Sequence, residues 1–99
     1  MKLKIQQRIL MEHLNNVIRG VSSKNLIPIL NCIKFELKKE GLYLISTDNE
    51  LAIKDFIDAK DIEQIDTLGD ILISGRYIYD IVKKLENGII TIEEIIDSQ

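Results

Sequence analysis

Ile71-Leu72-Ile73-Ser74-Gly75-Arg76-Tyr77-Ile78-Tyr79-Asp80-Ile81-Val82-Lys83-Lys84-Leu85 is the stretch on which the fold turns. Three consecutive apolar residues, Ile71 to Ile73, read as a short strand. Ser74 stands where an N-cap belongs, because its hydroxyl can accept a first-turn N–H. Ile78, Ile81, Val82 and Leu85 then recur at i, i+3, i+4 and i+7, which predicts an amphipathic helix over residues 76–85. Asn87-Gly88 ends that helix, and residues 89–96 alternate as a closing strand.

The N-terminal end repeats this order of elements without repeating the sequence. Lys2-Leu3-Lys4-Ile5 alternates charged and apolar side chains as a half-buried strand does. Residues 7–20 carry Leu10, Met11, Leu14, Val17 and Ile18 at helical spacing, with Gly20 as the stop. The other side of that helix shows Arg8, Glu12, Asn15, Asn16 and Arg19. Residues 21–25 are polar and turn-like. Residues 26–37 are apolar and β-branched, with Pro28 near the start, where a missing N–H harms a strand least. Lys38-Lys39-Glu40-Gly41 forms a hairpin turn into a returning strand over residues 42–46. Leu51, Ile53, Phe56 and Ile57 suggest a third strand, and the acidic residues 58–70 read as a loop. The predicted order is β-α-β-β-β-β-α-β, an α+β fold with two amphipathic helices packed on antiparallel sheet.

Composition bounds the function. With 99 residues, 45% hydrophobic and 29% charged, the chain is one small domain able to bury a core. No apolar run approaches the roughly 20 residues that span a bilayer, and the alternating N-terminus is not a signal peptide, so the cytoplasm is the expected compartment. A single cysteine, Cys32, excludes an internal disulfide and a cysteine-based zinc site. Among Ile29, Leu30, Ile33 and Phe35 it is expected to be a buried thiol. The net charge is −3, yet residues 7–20 and 75–86 together carry five Lys or Arg against three Asp or Glu. The helices are therefore mildly basic and the rest of the chain acidic, and what a polyanion meets is the charge of one face.

Enzyme chemistry finds little support. The chain has no P-loop, no G-x-S-x-G, no H-E-x-x-H and no glycine-rich phosphate cradle. His13, the sole histidine, is expected to be structural. Asp48 and Glu50 read as turn-capping residues at a hairpin end rather than a metal pair. Asp55, Asp58, Asp61, Glu63 and Asp66 lack the spacing and glycine of an EF-hand. No catalytic residue, metal or cofactor is predicted.

Four stretches resemble the first domain of bacterial replicative sliding clamps, the β subunit of the replicative polymerase. They are Met1-Lys2-Leu3-Lys4-Ile5 with the helix after it; Leu26-Ile27-Pro28-Ile29-Leu30; Gly41-Leu42-Tyr43-Leu44-Ile45-Ser46-Thr47-Asp48-Asn49-Glu50; and Ile73 to Leu85. The third is similar to the family's G-x-x-L-x-x-T/S-D-x-E/D hairpin. The resemblance implies a DNA-clamp fold and a non-catalytic processivity factor. Three-domain chains would close head to tail into a ring dimer around double-stranded DNA, tethering the replicative polymerase. It also implies that residues 1–99 are a partial N-terminal domain, lacking a last hairpin and domains two and three. Contacts with the polymerase and the clamp loader would lie in those absent parts.

By position in the family, Lys24 and Arg19 are the leading DNA-contact candidates, with Arg8 and Lys83 behind them. Arg76, Tyr77, Asp80 and Lys84 are the candidates for the ring-closing face. An unpaired sheet edge further implies self-association of the fragment. The alternative is a stand-alone protein–protein module with a clamp-like fold and no sliding activity.

Overall fold

The computed structural model describes residues 1–21, 31–47 and 52–95. The elements run β1 (Lys2–Gln6), α1 (Gln7–Val17), β2 (Cys32–Lys38), β3 (Gly41–Thr47), β4 (Ala52–Asp58), β5 (Gln64–Thr67), β6 (Gly69–Ser74), α2 (Gly75–Lys84) and β7 (Ile89–Glu93). Single 3₁₀ turns follow α1 at Ile18–Gly20 and β4 at Ala59–Asp61. The α+β expectation of two helices on antiparallel sheet holds.

The stretch 58–70, expected to be a loop, is corrected: it contains β5 and the start of β6. β5 has one apolar residue facing the core, Ile65, set opposite Leu3 of β1. Its extended state comes from that pairing, so no local periodicity announces it. Leu26 to Leu30, Asp48 and Glu50 lie outside the described residues. The strand expected over residues 26–37 is described only from Cys32.

Two antiparallel sheets result, ordered β5-β1-β7 and β4-β3-β2-β6. Each helix continues directly from a strand, α1 from β1 and α2 from β6. Each of those strands pairs with the strand that follows the other helix: β1 with β7 and β6 with β2. This exchange ties the two halves into one core. Leu3 and Ile5 of β1, Ile33, Phe35 and Leu37 of β2, Leu42 and Leu44 of β3, and Ile57 of β4 all point inward and are essentially fully buried. Leu10, Leu14 and Val17 of α1 and Val82 of α2 close over them. Fully burying a Leu or Ile side chain contributes about 1.5–3 kcal/mol each.

Helix ends are satisfied by partners near and far. Ser74 Oγ accepts from the Tyr77 amide at the start of α2, as the N-cap position predicts. Gln6 gives α1 no side-chain cap; the Gln7 N–H donates instead to the Gly88 carbonyl at 2.7 Å. The turn that ends α2 thus supplies an acceptor for the start of α1. Cys32, expected to be buried, is half-buried at the start of β2, opposite Ser74.

Candidate nucleic-acid interface

The two helices lie against each other, and polar contacts hold that arrangement. Tyr79 Oη donates to Asn15 Oδ1 at 2.8 Å, and Gln7 Nε2 donates to the Val82 carbonyl at 2.9 Å. Lys83 Nζ stands 6.0 Å from the centre of the Tyr79 ring, at the outer limit of a cation–π contact. Along α1 an open trough of about 580 Å³ is lined by Gln7, Arg8, Met11, Glu12, Asn15 and Asn87. Arg8, Asn15, Tyr79 and Lys83 therefore follow one another across a surface shared by both helices. Arg8 reaches Gln6 Oε1 at 3.2 Å, while Arg19 is exposed on the 3₁₀ turn after α1. Lys24 lies outside the described residues.

α2 presents one broad exposed side. Tyr79 bonds Asn15 of α1 and Lys83 stands over its ring, and Arg76, Tyr77, Asp80 and Lys84 are exposed alongside. Tyr77 and Ile81, one turn apart, are 63% and 37% exposed. Arg76 and Lys83, seven residues apart, fall on the same side of the helix, so the DNA candidates and the ring-closing candidates adjoin on α2. Sequence reasoning did not single out Asn15 and Tyr79. Both stand off the apolar stripes, but only their 64-residue contact makes them a pair.

The far side of α1 is fastened to the sheet. His13 Nδ1 lies 2.7 Å from Asp55 Oδ2 on β4, and Asn16 Nδ2 donates to the same oxygen at 2.9 Å. The Phe56 amide donates to Asp55 Oδ1. His13 is thus structural, as expected. A His–Asp pair is also half of a nucleophile-activating arrangement, but the nearby Ser46 hydroxyl is fully buried and donates to the Val17 carbonyl at 2.7 Å. Asp58 accepts from the Lys60 amide and Asp66 from Gln64, so the acidic residues are spread over separate local bonds. Among the described residues no group of three or more His, Cys, Asp or Glu is placed to hold a metal ion.

Burial pushes the Asp55 carboxyl upward, but the bonds from Asn16, His13 and the Phe56 amide outweigh it and hold its pKa below the ordinary value. A lowered folded-state pKa stabilises the fold above the unfolded value, near pH 4, and that contribution is lost as pH falls through the folded value. Asp55→Ala should therefore cost about 1–3 kcal/mol at pH 7, and the gap to the parent should narrow as pH falls through the folded-state value of Asp55, below its ordinary range. Urea unfolding across a series from neutral to acid pH checks this; a gap that does not narrow before the parent itself unfolds refutes it.

Residues 1–96 match the family described as DNA polymerase III beta subunit, N-terminal domain. The chain belongs to that family. It is 32% identical over 98 residues to the beta sliding clamp of Streptococcus pneumoniae serotype 4, covering 96% of this chain and 26% of the relative. It is 35% identical over 97 residues to the beta sliding clamp of Bacillus subtilis strain 168, covering 94% and 26%. The beta subunit crystal structure from Streptococcus pyogenes superposes with a TM-score of 0.88 at 28% identity, over 96% of this chain and 25% of that one. The chain thus spans about a quarter of the length of these beta-subunit relatives. As a member of the beta-subunit family it has the clamp-domain fold, and its relatives are named beta sliding clamps. No helix among the described residues is long and apolar enough to cross a membrane.

Proposed function

We propose that this chain is the first-domain portion of a cytoplasmic replication processivity clamp, non-catalytic, which meets double-stranded DNA through the surface shared by α1 and α2. The observation that carries the reading is the continuity of Arg8, Asn15, Tyr79 and Lys83 across the two helices, within a protein whose net charge is −3. Cations and amides on such a surface attract phosphates without reading bases, which suits a protein that must slide. Arg19 extends the basic set beyond α1, and Lys24 joins the DNA contacts by the resemblance to the family. Retention on DNA would come from ring closure, with the exposed Arg76, Tyr77, Asp80 and Lys84 of α2 meeting the next subunit head to tail. Residues 1–99 then form a partial N-terminal domain, and polymerase and clamp-loader contacts fall to the remaining length.

The test grafts residues 1–96 into the Bacillus subtilis clamp in place of the matching segment and loads the chimera on a nicked circle. The chimera should stay on the circle and leave when the DNA is linearised. Binding that ignores DNA topology refutes the ring. Changing Arg8, Arg19, Lys24 and Lys83 to Gln should lower the slope of log K against log salt by roughly 0.9 for each phosphate that is no longer neutralised. An unchanged slope refutes the surface while leaving the ring intact.

A further inference from the structure

We infer that Asn87-Gly88 is a self-modification site: the Gly88 backbone nitrogen attacks the Asn87 side-chain amide, and the isoaspartate that results unfastens the start of α1 from the turn after α2. The inference is independent of the DNA-facing surface. Of the six asparagines in the chain, Asn87 is the one that precedes a glycine. The pair lies in the turn between α2 and β7, and both residues are exposed. Among the described residues neither the Asn87 side chain nor the Gly88 N–H makes a hydrogen bond. Asn15 and Asn16, by contrast, sit inside α1 with their side chains bonded to Tyr79 and Asp55.

The fold does not require a glycine at this position. Gly88 is not among the glycines at positive φ, which are Gly41 and Gly69, and a Cβ at 88 would meet nothing within 4 Å. A glycine there costs backbone entropy without a steric return. What it supplies is a backbone nitrogen that no side chain shields. Its N–H loses a proton to solvent base, and the nitrogen attacks Cγ of Asn87. A C–N bond forms, the bond to the side-chain nitrogen breaks, and ammonia leaves, giving a cyclic succinimide. Water then opens the ring on either side. Opening at the side-chain carbonyl gives aspartate. Opening at the main-chain carbonyl gives isoaspartate, whose backbone runs through Cγ and is longer by one methylene. Every reacting atom of the protein belongs to these two residues, and water is the only co-reactant.

The structure gives the product its consequence. The Gly88 carbonyl accepts from the Gln7 N–H at 2.7 Å. Since α1 has no side-chain cap, this carbonyl satisfies one of the free amides of its first turn. Gln7 Nε2 in turn donates to the Val82 carbonyl of α2 at 2.9 Å, so both helices meet at this one residue. A methylene added just before Gly88 displaces its carbonyl from Gln7. Aspartate keeps the backbone length and leaves the tie intact. Either product places a new carboxylate in the trough beside Arg8 and Glu12.

Peptide mass spectrometry tests this on the 99-residue chain and on the Bacillus subtilis chimera that carries residues 1–96, each held folded at neutral pH and body temperature for weeks. The peptide containing residue 87 should gain about one mass unit. Part of it should accept a methyl group from a protein isoaspartate methyltransferase. Gly88→Ala, for which there is open space, should convert at least about tenfold more slowly. The isoaspartate fraction should melt about 4 °C or more below the unconverted chain, and the aspartate fraction should melt with it. An Asn87 that stays intact in the folded proteins while it converts in urea overturns the inference, as does conversion in the 99-residue chain but not in the chimera. A G88A variant that converts as fast as the parent, or an isoaspartate fraction that melts with the parent, also overturns it.

Discussion

Gly41→Ala should destabilise the domain by more than about 3 kcal/mol, lowering its melting temperature by about 15 °C. Gly41 opens β3 with φ at +151°, a conformation that side chains strongly disfavour. Space is the second obstacle, since a Cβ there would sit 2.1 Å from the Ile57 carbonyl oxygen and under 3 Å from the Phe56 ring. Backbone oxygen cannot move aside without parting β3 from β4, which carries Asp55 and so anchors α1. For a domain whose whole stability is of order 5–15 kcal/mol, this loss is a large fraction. Thermal unfolding measures it, and a melting temperature within about 3 °C of the parent's would refute the clash.

Gly20→Ala should be nearly as damaging, by about 2–4 kcal/mol, for a reason that can be tested by rescue. The added Cβ would lie 2.3 Å from Ser46 Oγ and 3.2 Å from Ile53 Cδ1. Ser46 is fully buried and its hydroxyl is committed to the last turn of α1, so it has nowhere to swing. Ser46→Gly alone should also cost about 1–3 kcal/mol, because the Val17 carbonyl loses its donor. The double variant should be more stable than the sum of the two losses predicts, by at least about 1 kcal/mol, since the clash and the bond involve the same oxygen. Additive losses in a double-mutant cycle would show that the two positions do not press on each other. The pair matters for function because Arg19, one residue before Gly20, depends on this packing for its place.

Much of the architecture was legible locally. Alternation in Lys2-Leu3-Lys4-Ile5 and the stripe from Ile78 to Leu85 declare their elements, because strand and helix periods are properties of neighbouring residues. β5 was not legible: Glu63-Gln64-Ile65-Asp66-Thr67 has too few apolar residues to show a period, and β1 makes it a strand. The candidate surface was half legible. Arg8, Arg19 and Lys83 stand off the apolar stripes, but only the resemblance to the clamp family made them candidates for DNA contact. The pairing of His13 with Asp55 could not be read from spacing, because they meet across 42 residues.

The sequence alone determined the helices, most of the strands, the apolar side of each, and the basic bias of the helices within an acidic chain. Tertiary structure alone decided that β1 and β6 each pair with the strand after the other helix. It also decided that Tyr79 of α2 bonds Asn15 of α1, a contact across 64 residues. Periodicity tells which side of an element is buried. It cannot tell which distant element covers that side, since the choice is made by ladder and core contacts whose free energy must exceed the entropy of closing long loops.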